Sequence, residues 1–145
     1  MVHKKQTGQK MLAPMLIVVM CLGFATSASA ASSNYSFRME LRVVNGAANG
    51  QFHQLGIGNA SLSGTQTLTR TPVGVPVPDA IQYELRLRSG NSSTVIGSFN
   101  GGNSSGYVSG NLGRTTVASS SYYLIIFRGT NDGWHVTGSG RVSSR

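Results

Sequence analysis

Tyr122-Tyr123-Leu124-Ile125-Ile126-Phe127 is the longest apolar run outside the first thirty residues, and its reading decides the fold. It is largely aromatic and β-branched, with Ser119-Ser120-Ser121 before it and Gly129 after it. These features predict a core strand buried on both faces rather than a helix. Asn131-Asp132-Gly133 follows, and an Asp-Gly pair suits a hairpin turn in which both central residues take positive φ. Residues 134–142 are then expected to return as the partner strand, which makes this pair the central hairpin of the domain.

Working outward, two stretches alternate cleanly with period 2. Tyr35, Phe37, Met39, Leu41 and Val43 share one face, with Ser36, Arg38, Glu40 and Arg42 on the other. Ile81, Tyr83, Leu85 and Leu87 alternate with Gln82, Glu84, Arg86 and Arg88. Both patterns predict half-buried antiparallel strands. Between them, residues 51–57 and 62–70 read as weaker strands. Residues 71–78 hold three prolines, Pro72, Pro76 and Pro78, which exclude a central strand and suggest an extended crossover. Residues 94–100 and 107–112 complete the set, separated by a Gly/Ser/Asn loop over 101–106 that is expected to be flexible.

No helical 3-4-7 apolar spacing occurs after residue 30, and the chain holds nineteen glycines. The expectation is a single antiparallel β-sandwich of about eight strands. A loose repeat supplies the alternative. Tyr83 to Asn91 can be laid over Tyr123 to Asn131, with Phe37 to Arg42 as a third copy, and such spacing would suit a three-fold β-trefoil-like or prism barrel.

The first thirty residues read as a cleaved secretory signal helix. His3, Lys4, Lys5 and Lys10 form a basic start, Leu12 to Ala25 an apolar stretch, and Ala28-Ser29-Ala30 a small-x-small cleavage site. Cleavage after Ala30 leaves a single domain over 31–145, secreted and without a transmembrane segment. Met20 before Cys21 argues against a lipoprotein leader. Cys21, the sole cysteine, leaves with the leader, so the mature domain is free of disulfides. It keeps nine arginines, no lysine and four acids, a net of +5. That balance favours an anionic cell-surface polymer or glycan as partner.

Catalytic and metal signals are sparse. The mature acids are Glu40, Asp79, Glu84 and Asp132, and the histidines His53 and His135. Glu40 and Glu84 sit among arginines, where ion pairing across strands accounts for them. Gly102-Asn103-Ser104-Ser105-Gly106 matches a nucleophile-elbow pattern but lacks the following helix that such an elbow needs. No zinc or calcium ligand pattern is present, and neither metal nor cofactor is expected. Asn34, Asn59, Asn91 and Asn103 each open an Asn-x-Ser acceptor pattern, relevant only in a eukaryotic host.

Three groups remain as candidate sites. Asn131, Asp132, Trp134 and His135 could form a loop on which a sugar stacks and hydrogen-bonds. Arg38, Arg42, Arg86 and Arg88 would make one basic stripe if their strands were neighbours, although a charged solvated face explains them better than nucleic acid does. Tyr122, Tyr123, Leu124, Ile125, Ile126 and Phe127 could drive self-association through a strand edge if that edge is open. The sequence thus favours a non-enzymatic, secreted structural or adhesive component of a surface or matrix. A carbohydrate-binding module using the Trp134 loop is the alternative, and a small hydrolase using His135 comes third.

Overall fold

A computed structural model describes residues 30–70, 74 and 77–145, with nothing said of the Arg70 side chain. The expected leader, and most of the expected crossover over 71–78, lie outside these residues. All regular structure among them is β. Nine strands are present: β1 Ala31–Met39, β2 Val43–Asn45, β3 His53–Leu55, β4 Gly58–Arg70, β5 Gln82–Ser89, β6 Ser92–Asn100, β7 Gly106–Thr115, β8 Ser119–Phe127 and β9 Trp134–Ser144. They form two antiparallel sheets packed as a sandwich. The first, sheet A, runs β1-β9-β4-β7, and the second, sheet B, runs β2-β8-β5-β6 with β3 also paired to β8. Among the described residues the arrangement is a sandwich and not a three-fold barrel. The repeat-like segments around Tyr83 and Tyr123 are neighbouring antiparallel strands of sheet B, while the one around Phe37 starts in sheet A.

The run 122–127 lies in the interior of sheet B. Its strand β8 pairs with β5 along one edge and with β2 and β3 along the other. Tyr122, Leu124 and Ile126 are buried in the core, and Tyr123 is buried on the opposite face, where Phe52 meets it edge-on at 6.1 Å between ring centroids. Ile125 and Phe127 are half-buried. The expected hairpin with 134–142 does not form: β9 belongs to the other sheet, between β1 and β4. Only Gly133 of the Asp-Gly pair has positive φ, at 77°. A type I′ turn needs two such residues, so the chain leaves β8 and crosses to sheet A instead.

The alternation of the first strand holds through Tyr35, Phe37 and Met39, all buried, and then fails. Leu41 and Val43 are 65% and 54% exposed. A bend over residues 40–42 carries the chain from sheet A to sheet B, and β2 begins beyond it. Arg128 holds that bend. Its backbone N–H donates to the Arg42 carbonyl at 3.0 Å, and its guanidinium donates to the Leu41 carbonyl through Nε at 3.1 Å and NH2 at 2.8 Å. The Leu41 side chain is exposed, but its carbonyl is met by the buried guanidinium, which ties the corner to the interior.

Sheet A carries glycines where its inner face meets aromatic rings. A Cβ on Gly138 would lie 2.3 Å from the Phe37 ring, and one on Gly110 2.2 Å from the Phe99 ring. A Cβ on Gly64 would come within 2.6 Å of the Tyr35 hydroxyl. Tyr35, Phe37, Tyr83 and Phe99 therefore form one aromatic cluster laid onto a glycine floor, with Tyr83 and Phe99 stacked at 5.2 Å. At one side the sheets meet backbone to backbone. A Cβ on Gly97 of β6 would lie 2.5 Å from the Leu112 carbonyl oxygen of β7.

Candidate functional site

The loop after β8 turns Asp132 inward. Asp132 and Arg128 are 2% and 0% exposed at their side chains and form an ion pair, 2.5 Å between Oδ1 and NH1. Asp132 also accepts the backbone N–H of Asp79 at 2.8 Å and of Trp134 at 3.0 Å. Asp79 accepts the Thr130 hydroxyl and backbone N–H, both at 2.7 Å. Those two bonds, joined by the nearby charges of Arg128 and Arg42, hold its carboxyl below the usual carboxylate range.

Asp132 is therefore a structural brace. Trp134 and His135 are successive residues of β9, paired in register with Arg70 and Thr69, so strand alternation directs them to opposite faces of sheet A. Asn131 is exposed beside them. The four residues share a stretch of chain, but Asp132 is turned inward and Trp134 and His135 face opposite ways.

The arginines do not form one stripe. Arg38 lies on β1 of sheet A, Arg42 in the corner, and Arg86 and Arg88 on β5 of sheet B, so the strands are not neighbours. Ion pairing takes up two of them, but between residues close in sequence rather than across strands: Arg38 meets Glu40 at 2.8 Å and Arg86 meets Glu84 at 2.5 Å. Arg88 lies over the Phe52 ring at 6.0 Å. The run 122–127, paired along both edges, offers no open edge of its own.

The remaining polar groups singled out in the sequence are also engaged. His53 is buried against Ser33, with Nδ1 3.0 Å from the hydroxyl, and burial lowers its pKa. The loop over 101–106 is pinned from inside by Gln66, which is buried. Its amide nitrogen donates to the carbonyls of Gly101 at 3.0 Å and Ser104 at 2.8 Å, and its amide oxygen accepts the Tyr83 hydroxyl at 2.9 Å. The Ser105 hydroxyl accepts the Leu68 N–H at 2.8 Å. The elbow-like motif is thus a braced turn leading into β7. Among the described residues, no group of three or more His, Cys, Asp or Glu could hold a metal ion, and no helix is long and apolar enough to cross a membrane.

One concavity among the described residues escaped sequence reasoning. It is a depression of about 560 Å³ on the outer face of sheet A. It lies over parts of two outward rows of residues set against each other by strand register. Asn34, Arg141, Ser63 and Ser109 lie side by side across β1, β9, β4 and β7, and Ser36, Ser139, Thr65 and Tyr107 form the next outward row. The row between them, Tyr35, Gly140, Gly64 and Val108, faces the core. Small hydroxyl residues thus make the floor, while Asn34, Arg141 and Tyr107 rise at the margins. Tyr107 is 72% exposed. Beneath the glycines lies the buried Tyr35 ring, its phenol pushed up to about 12 by burial. The one available sequence signal was the serine, threonine and asparagine on the outward positions of four strands. Those residues read as turn formers until the strands are placed.

Comparison of the chain with protein-family models, with curated proteins and with solved structures gives no match.

Proposed function

We propose that the mature protein, residues 31–145, is an exported, non-enzymatic component of a cell surface or extracellular matrix that adheres through the outer faces of its sandwich. The observation that carries this reading is how the ionisable groups are used. Glu40 and Glu84 pair with arginines, Asp132 with Arg128, Asp79 caps Thr130, and His53 is buried against Ser33. Acid and base catalysis needs such a group within reach of a substrate atom; these five are engaged by neighbouring residues, which leaves His135 as the remaining candidate. What sheet A offers to solvent instead is a field of hydroxyl, amide and guanidinium donors with one exposed aromatic ring, a surface suited to holding a ligand.

Carbohydrate recognition is the more specific form of this reading. It is favoured by the depression around Tyr107 rather than by the Trp134 loop. Incubating residues 31–145 with insoluble surface or matrix polysaccharide tests the proposal. The protein should sediment with the polymer and release no soluble fragments. Fragment release over hours would make it a hydrolase, and failure to sediment with any preparation would remove the adhesive role.

A further inference from the structure

We infer that the depression on sheet A is a binding site for a carboxylated polysaccharide, one whose sugars carry uronic acid groups, with Tyr107 as the stacking platform and Arg141 as the carboxylate partner. The inference rests on the adhesive reading above and gives it a ligand class.

The chemistry of the margins carries it. Arg141 is exposed and has no carboxylate partner among the described residues, whereas Arg38, Arg86 and Arg128 each have one. The two rows beneath the depression contain no acid. A guanidinium presents donors in a fixed fork that matches a carboxylate, and this geometry separates a uronate from a neutral sugar. Asn34 lies beside Arg141 in register and adds an amide donor and acceptor on the same margin.

Tyr107 stands across the floor, two strands from Arg141 and one outward row further along. Strand spacing of about 4.8 Å and a rise of about 3.4 Å per residue put their Cα atoms about 12 Å apart. That separation suits several linked sugar rings rather than one small anion. Between the two margins, Ser63, Thr65 and Ser139 each supply a hydroxyl able to donate and accept. A polymer rich in hydroxyls matches such a floor, while a nucleic acid would call for several aromatic platforms and a run of cations that the face lacks.

Affinity electrophoresis or calorimetry with polygalacturonate, the same polymer after methyl esterification, and dextran provides the test. Polygalacturonate should bind, esterification should weaken binding about tenfold or more, and dextran should bind least. Tyr107→Ala and Arg141→Gln should each reduce polygalacturonate binding about tenfold, while Arg88→Gln on the opposite sheet leaves it unchanged. Both altered side chains are solvent-facing, so unchanged melting temperatures should accompany the loss.

Equal binding of the acidic and esterified polymers would overturn the role given to Arg141. Binding insensitive to both sheet A variants would overturn the site, as would tighter binding of single-stranded DNA than of any polysaccharide. If the variants still sediment with matrix polysaccharide as the parent does, the adhesive function survives and this site does not.

Discussion

Replacing Arg128 by Met tests whether the corner between the sheets is held electrostatically. The substitution removes the Nε and NH2 donors from the Leu41 carbonyl and strands the Asp132 carboxylate, which is 2% exposed, without its countercharge. Taking one partner from a buried ion pair costs about 3–5 kcal/mol, because the survivor remains buried and uncompensated. A domain of roughly 115 residues has about 6–17 kcal/mol in total at 0.05–0.15 kcal/mol per residue. Arg128→Met should therefore consume a large fraction of the stability and lower the melting temperature by about 12–20 °C, at roughly 4 °C per kcal/mol.

Urea unfolding followed by Trp134 fluorescence gives the free energy directly. The double variant Arg128→Met/Asp132→Asn separates the stranded charge from the lost donors. Asn keeps a side-chain oxygen for the Asp79 and Trp134 amides but carries no charge, so it should restore about 1–2 kcal/mol relative to Arg128→Met alone. A single-variant cost below about 1 kcal/mol, or a double variant no more stable than the single one, would refute the argument.

Two further perturbations follow from buried polar groups. His53 has a folded pKa below its ordinary value because burial penalises the imidazolium, so between the folded and unfolded values the unfolded chain binds more protons. Stability should fall as pH drops from about 7 toward 5, and His53→Gln should flatten that slope in urea midpoints; an identical slope in the variant would remove the assignment. Gln66→Leu leaves the Tyr83 hydroxyl and the Gly101 and Ser104 carbonyls without their partner, at a cost of about 2 kcal/mol or more. Amide exchange over residues 101–105 should accelerate in that variant, whereas unchanged exchange would show that the loop is pinned by other contacts.

The sequence disclosed those elements whose burial follows strand periodicity and concealed those that depend on long-range pairing. Tyr35, Phe37 and Met39, and likewise Ile81, Tyr83 and Leu85, are buried as their alternation predicts. The same pattern overran its strand at Leu41 and Val43, because apolar spacing carries no mark of the sheet change at residues 40–42. Asp132-Gly133 resembled a hairpin turn because the short-range signal is the same whether the next strand returns to its neighbour or crosses to the other sheet. Arg128 was not legible at all. An arginine after a strand is ordinarily solvated, and only the meeting of two corners gives it a buried role. Tyr107 went unnoticed for a similar reason, since its neighbour on the sheet is Thr65 of β4, far away in sequence.

One compositional bias underlies both the concealed core and the candidate site. The glycines of sheet A leave room on the inner face for Tyr35 and Phe37 to lie flat against the backbone, which recovers apolar contact that glycine itself does not provide. Serine and threonine on the outward positions keep the other face of the same strands hydrated. In sequence these two requirements merge into a Gly/Ser/Thr-rich chain that resembles loop, because neither residue class marks a strand by hydrophobicity. In space they produce a sheet that is aromatic-backed on one side and hydroxyl-lined on the other. The depression between Arg141 and Tyr107 follows from that division: small residues lower the floor, and the long side chains at its margins are left standing above it.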